Sequence, residues 1–365
     1  MAKVGGMKAL VLEDWWNLVV SELPDPMIGE TEVLIEVLAT GICGSDIHGF
    51  TGETGRRQQG QIMGHETVGR VVAVGSSVDR SGGVEPGVLA TVNPVIGCGR
   101  CALCAAGENQ ACPNRQVIGV EPSISSAFAQ LMAVPGDNVV VLNESMPPEL
   151  GALIEPLSVG YHAARRGRIE EGDSVLVLGG GPIGQACVLG AIREGARTVV
   201  VSEPSASRRR LNEQLGAHSV DPTATSDVAE STIALIGDRP DVILDAVGTT
   251  ATLADAFACS SSASLIVLVG MGAKTVELPA FEISTKERSV VGSFCYSKSE
   301  FRETAHWVST VPPELGLLID ARVDLMTAPS TFAQLARGEL DASKVLVLPN
   351  SSLFAPMPAG AVANP

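Results

Sequence analysis

The chain has 365 residues, with 25 Lys and Arg against 41 Asp and Glu, giving a formal charge of −16. That length exceeds what one hydrophobic core usually organises, so two domains are expected. The acidic balance argues against nucleic acid or an anionic membrane as partner; 45% hydrophobic and 18% charged residues argue against disorder, and 4% aromatic residues against a stacking platform.

The start, MAKVGGMKALVLEDWW, lacks an apolar run followed by a small-residue cleavage site, so a cytoplasmic protein is expected. From there to about residue 150, short β-type runs such as EVLIEVLAT, HETVGRVVAVG and NVVVLNES are separated by Gly and Pro, and residues 1–152 read as a β-rich domain. Within it, GICGSDIH carries Cys43, Ser45, Asp46 and His48, and Gly64-His65-Glu66 follows. Cys43 offers a thiolate and His65 an imidazole, while Glu66 and the later Glu155 in IEPL offer carboxylates. Three protein ligands and one open position is the layout of a catalytic zinc. Buried core Cys and His residues look the same in sequence, so this set alone is suggestive only. Asp46 is placed to accept a hydrogen bond from a ligating imidazole.

Cys98, Cys101, Cys104 and Cys112 are spaced C-x2-C-x2-C-x7-C in a glycine-rich lobe at about 94–113. Four thiolates close a tetrahedral shell, so the reading is a structural zinc, with an iron–sulfur cluster second and disulfides weaker in a reducing compartment.

Beyond residue 152 the pattern changes to short apolar strands alternating with helices, which predicts a parallel α/β sheet over 153–294. Strands are expected at Ser174–Leu178, Thr198–Ser202, Asp241–Ala246 and Leu265–Gly270. The uncharged stretch from Ser174 to Ile192 has the length of a membrane span, but five glycines and Pro182 make it a strand, a turn and a buried helix. The turn, Gly179-Gly180-Gly181-Pro182-Ile183-Gly184, satisfies G-x-G-x-x-G in the context a dinucleotide needs. Glu203, nineteen residues after Gly184, suits a ribose 2′-hydroxyl and so favours NAD, whereas Arg208 nearby leaves NADP open. Residues 295–350 return to mixed helix and strand, and 351–365 form a small-residue, Pro-rich tail.

In order, GICGSDIHG, MGHETVGRVVAVG, the four-cysteine lobe, EPLSVGYHAARRG and the glycine fingerprint resemble the zinc-dependent medium-chain alcohol dehydrogenases over about residues 7–349. The stretch GALIEPLSVGYHAARRG is most similar to sorbitol dehydrogenases, with butanediol and threonine dehydrogenases near. The resemblance implies an α/β protein with a GroES-like catalytic domain, an inserted Rossmann domain (153–294), a return at 295–350, and an active site in the cleft between them. It implies Cys43, His65, Glu66 and Glu155 at the catalytic zinc, with Glu66 or Glu155 reaching it directly or through water. Ser45 and His48 match a proton relay, Cys98, Cys101, Cys104 and Cys112 the structural zinc, and Glu203 the adenosine ribose contact. The expected reaction is reversible oxidation of a secondary alcohol or polyol to a ketone with NAD, by a homodimer or homotetramer. An NADPH-dependent ketone reductase and a non-catalytic scaffold keeping the structural zinc are the alternatives.

Three departures bear on substrate. Phe294-Cys295-Tyr296 stands where polyol dehydrogenases read F-R-Y, so the substrate-binding arginine is absent. Ser125-Ser126-Ala127-Phe128-Ala129-Gln130 replaces G-G-x-A-E-Y near the expected pocket. Arg56 and Arg57 form an unusual pair that reads as a solvated loop or as a holder of an anionic or hydroxylated substrate.

Overall fold

The computed structural model describes residues 6–225 and 227–353. Packing divides the described residues into two units: 6–94, 116–152 and 319–353 form the first, and 95–115 with 153–318 form the second.

The first unit is built on a seven-stranded sheet. Its order is Ala321–Asp324, Val345–Leu348, Glu32–Gly41, Glu66–Val74, Leu89–Val92 and Val139–Val141, with Leu131–Pro135 also paired to Glu32–Gly41. Pairing is antiparallel except between Ala321–Asp324 and Val345–Leu348. Glu32–Gly41 alternates buried and half-buried residues at first, then buries every residue from Val37 on, as a strand flanked on both edges should. The hairpin Gly6–Asp14 and Asn17–Pro24 contributes Leu10, Leu12 and Leu18 to a core with Phe50, Met63, Phe128 and Phe332. Phe128 meets Phe332 edge-on at 5.4 Å between ring centres. Each such ring contributes roughly 1.5–3 kcal/mol of burial.

The second unit is a six-stranded parallel sheet in the order His218–Val220, Thr198–Ser202, Ser174–Leu178, Val242–Asp245, Leu265–Leu268, Ser289–Gly292. This is the doubly wound order, with its switch point between Ser174–Leu178 and Val242–Asp245. The four expected strands all form, the third and fourth ending one or two residues early; the two edge strands are only three and four residues long and gave no separate signal in sequence. Leu176, Leu178, Val200, Ile243, Leu253 and Ile266 fill one core. The uncharged stretch is a strand, then the helix Pro182–Arg193, and no helix among the described residues is long and apolar enough to cross a membrane.

Two helices of this unit touch backbone to backbone. Ile154–Arg166 crosses Pro182–Arg193 where a Cβ at Gly160 would overlap the Ala186 peptide and one at Gly190 would stand 2.6 Å from the Gly160 carbonyl oxygen. Only hydrogen fits at both positions.

The domain boundaries differ from expectation in two places. Residues 295–318 stay with the second unit rather than returning to the first, because the helix Lys298–Val308 is pinned to Ile154–Arg166. His162 Nδ1 and Glu300 Oε2 are 2.9 Å apart, Tyr161 donates its hydroxyl to Glu303 Oε2 at 2.9 Å, and Arg193 stacks 3.8 Å over the Tyr161 ring. The cysteine lobe also groups with the second unit, where Arg115 lies 4.8 Å from the Phe294 ring centre. Ser351–Leu353 form a 3-10 turn, and the rest of the expected tail, like residues 1–5, lies outside the described residues.

Glu300 is buried, which by itself raises its pKa, but His162 and the amide and hydroxyl of Ser297 outweigh burial and bring the carboxyl down to about 2. Its folded pKa therefore lies below the unfolded value, so the stability it contributes is complete above about pH 4.5 and is lost as pH falls toward 2. A Glu300→Gln variant should have a Tm lower than wild type at pH 7 by an amount equivalent to a few kcal/mol, and the two melting curves should converge toward pH 2–3. Calorimetry across that range checks it; a parallel offset at every pH would contradict the assignment.

Candidate metal and nucleotide sites

In the first unit Cys43 caps the helix Gly44–Thr51, and His65 and Glu66 lie at the start of the strand Glu66–Val74. Gly64, at φ +96, makes the turn before His65, and a Cβ there would stand 2.9 Å from the Phe128 backbone nitrogen. One ligand atom each from Cys43, His65 and Glu66 lies within 4.8 Å of the others. A thiolate, an imidazole and a carboxylate at that separation suit Zn2+.

The cluster is held by other buried charges. Asp46 is fully buried; its Oδ2 accepts the Cys43 amide at 3.2 Å, and its Oδ1 stands 3.5 Å from His65 Nδ1, longer than a formed hydrogen bond. The expected support of the imidazole by Asp46 is therefore present as an ion-pair contact, leaving Nε2 as the ring atom for a metal. Burial pushes the Asp46 carboxyl up, but the charges of His65 and Arg57 prevail and hold it below the usual range. Burial likewise lowers His65, and Asp46 and Cys43 reverse this, raising it well above 6.5. A metal arriving here displaces a proton.

Glu66 is 1% exposed and receives Lys344 Nζ at 2.7 and 2.5 Å on its two oxygens. A Cβ at Gly41 would overlap that carboxylate, so glycine leaves the space it occupies. Lys344 was not singled out in sequence; the available signal was a lysine leading into an otherwise apolar strand, KVLVLP. Ser45 is half-buried on the same helix, and His48 is exposed, with Nδ1 2.8 Å from Glu53 Oε2.

Glu155 belongs to the second unit. It is the second residue of Ile154–Arg166, is buried, and accepts the hydroxyl of fully buried Tyr296 at 2.8 Å. Tyr296 was noted in sequence only as a neighbour of the missing arginine; Cys295 between it and Phe294 sits at φ +51.

The four lobe cysteines also converge, with ligand atoms within 4.8 Å. Cys104 N–H points at Cys101 Sγ and Cys98 N–H at Cys112 Sγ, both at 3.4 Å. A Cβ at Gly97 would stand 2.7 Å from Cys104 Sγ. The Arg100 amide and neighbouring thiols bring Cys98 down to about 6, whereas burial and the same neighbours push Cys104 up to about 11. Cys98 and Cys104 are thus pushed in opposite directions, and a bound cation would favour the ionised form of both. None of the eight cysteines is in a disulfide.

The nucleotide turn has the expected geometry. Gly179 is at φ +90, a Cβ at Gly184 would overlap the Gly179 carbonyl, and Gly181 caps the helix that opens with Pro182 and half-buried Ile183. Above Gly181 the nearest atom a Cβ would meet is Arg208 Nη1, at 3.7 Å, so the backbone is open to a phosphate there. Glu203 is buried at the end of Thr198–Ser202, accepting the Gly180 amide at 2.7 Å and the Ser205 amide at 2.8 Å. One lone pair on each oxygen is thus committed to the turn and others remain for a ribose hydroxyl. Arg209 bonds the Glu203 carbonyl and Asp221, leaving Arg208 as the cation over the turn.

Two substrate readings change. Arg56 is exposed, but Arg57 is 4% exposed and donates to Asp46, so it is neither a solvated residue nor a substrate holder. In Ser125–Gln130, Ala127, Phe128 and Ala129 are core residues, while the Ser125 and Ser126 hydroxyls accept the Ala133 and Gly119 amides. That stretch serves packing and loop closure.

Known proteins agree with this geometry. The alcohol dehydrogenase GroES-like domain family matches residues 29–144 and the zinc-binding dehydrogenase family residues 182–310. The sorbitol dehydrogenase of Bacillus subtilis (strain 168) is 32% identical over 94% of this chain and 98% of its own. A zinc-binding dehydrogenase from Sinorhizobium meliloti 1021, solved with NADP, superposes with TM-score 0.84 at 32% identity over 94% of this chain and 100% of its own. An alcohol dehydrogenase from Escherichia coli CFT073, solved with NADH, gives TM-score 0.85 at 28% identity over 94% and 99%. The chain is an oxidoreductase acting on alcohols and belongs to the zinc-dependent medium-chain alcohol dehydrogenase family.

Proposed function

We propose that the chain oxidises a secondary alcohol or polyol to a ketone, reversibly, with NAD, using one catalytic and one structural zinc. The observation that carries this is the convergence of Cys43, His65 and Glu66 on one point, backed by buried Asp46. When bound, zinc supplies a Lewis acid that makes a hydroxyl acidic near neutral pH, and NAD supplies the hydride acceptor. Cys43 and His65 hold the ion, with Asp46 orienting the ring through Nδ1. Glu66, clamped by Lys344, stands by as a further carboxylate, and Glu155, held by Tyr296 within the second unit, is assigned the family's third position by resemblance alone. Ser45 accepts the substrate proton and His48, already exposed and paired with Glu53, passes it to solvent. Cys98, Cys101, Cys104 and Cys112 hold the second ion, closed and structural.

Gly179, Gly181, Pro182, Ile183 and Gly184 form the pyrophosphate seat, and Glu203 favours NAD. Arg208 beside Gly181 supports a second reading, reduction of ketones with NADPH, since a guanidinium there can hold a 2′-phosphate. A cytoplasmic location fits eight unbridged thiols, and a dimer or tetramer follows from family resemblance alone.

Metal analysis should give two zinc ions per chain. Cys43→Ala should retain one zinc and the fold while losing turnover by at least about 100-fold, whereas Cys98→Ala should lose chiefly stability. Near-normal turnover by the Cys43 variant would overturn the catalytic assignment. For the coenzyme, kcat/KM with NAD should exceed that with NADP. Arg208→Ala should lower the NADP value further and leave NAD within about threefold. A wild-type preference for NADP would establish the second reading instead.

A further inference from the structure

Arg57 lies outside every role assigned so far, and its burial needs a reason. The residue is 4% exposed, and among the described residues its guanidinium makes one long hydrogen bond, Nη2 to Asp46 Oδ1 at 3.4 Å. Its Nε is buried with no hydrogen-bond partner among the described residues. A cation taken out of water for so little return is expensive unless the carboxylate it meets has to be held in place. Asp46 is such a carboxylate. It is fully buried, it accepts the Cys43 amide on Oδ2, and it faces the His65 ring nitrogen with Oδ1, the same oxygen that Arg57 contacts.

We infer that Arg57 is a positioning residue of the metal site, fixing the place and orientation of the Asp46 carboxylate so that Cys43 and His65 stay aligned for zinc; this rests on the proposed catalytic zinc. The fold makes a place for it. Gly49, on the helix that carries Asp46, is buried, and a Cβ there would stand 2.6 Å from Arg57 Cγ and 3.3 Å from its Nε. Glycine inside a helix ordinarily costs about 0.5–1 kcal/mol relative to alanine, so Gly49 has a packing purpose, and that purpose is the passage of the Arg57 side chain.

The test is zinc retention by the full chain against graded concentrations of a chelator, with metal content per chain as readout and circular dichroism to establish folding. Wild type should hold two zinc ions. Arg57→Met should release one of them at about 10–100-fold lower chelator while keeping the lobe's ion, as loss of an outer partner usually does. Arg57→Lys should recover part of the loss. Gly49→Ala, which touches no ligand, should reproduce the Arg57→Met result, and it decides the matter should Arg57→Met not fold. Because Arg57 acts through Asp46, the double variant Asp46→Asn with Arg57→Met should lose no more affinity than Asp46→Asn alone. Folded Arg57→Met or Gly49→Ala protein that keeps both ions as wild type does would overturn the inference and leave the metal site standing. Wild-type protein holding only the lobe's zinc would overturn both.

Discussion

The first unit is organised around a small set of charges taken out of water. Asp46, Arg57, His65, Glu66 and Lys344 are each 7% exposed or less, embedded among strands whose other residues are almost wholly apolar. Charges so placed survive only when each meets an opposite one, because desolvation costs several kcal/mol per ion. Here two carboxylates meet two permanent or near-permanent cations, Asp46 with Arg57 and Glu66 with Lys344. Backbone geometry serves the same end: Gly41 and Gly49 each give up a side chain so that a charged one can lie flat against the main chain.

The second unit solves a different problem, that of presenting bare backbone to an anion. The strand order of its parallel sheet reverses between Ser174–Leu178 and Val242–Asp245, and the glycine turn opens at that point. Glu203 looks in sequence like a ribose contact and nothing else. In the fold it is also a brace, its two oxygens tying the turn at Gly180 to the next loop at Ser205. Under the proposed NAD reading, coenzyme choice and turn geometry share one side chain.

What sequence revealed, and what it did not, follows from how far apart in the chain the interacting groups lie. The glycine turn, the lobe cysteines and the strands of the α/β unit are local patterns, and each formed where its spacing placed it. Cys43 and His65, twenty-two residues apart, carried only a suggestive signal by themselves and became persuasive through the order of the surrounding motifs. Lys344 stands far along the chain from Glu66, and no spacing rule relates a lysine near the C-terminus to a glutamate in an early strand. Arg57 misled for another reason. An arginine pair in a glycine-flanked loop has the composition of a solvated turn, and only the space left by Gly49 draws one of the two inward. The second domain's extent was underestimated because the helix Lys298–Val308 reads as amphipathic whichever unit it packs on, and the partners that decide this, Tyr161, His162 and Arg193, lie on other helices.

The crossing at Gly160 and Gly190 leaves no side chain between two helices, one beginning beside Glu155 and the other at the phosphate turn. Ordinary helix contacts have slack, since interlocked side chains can change rotamer and absorb a small slide. Here there is nothing to repack, so the two rods behave as one welded part. Redesign of the coenzyme seat should accordingly treat positions 160 and 190 as closed to every larger residue, for any wedge placed there would be felt at the carboxylate as well as at the nucleotide.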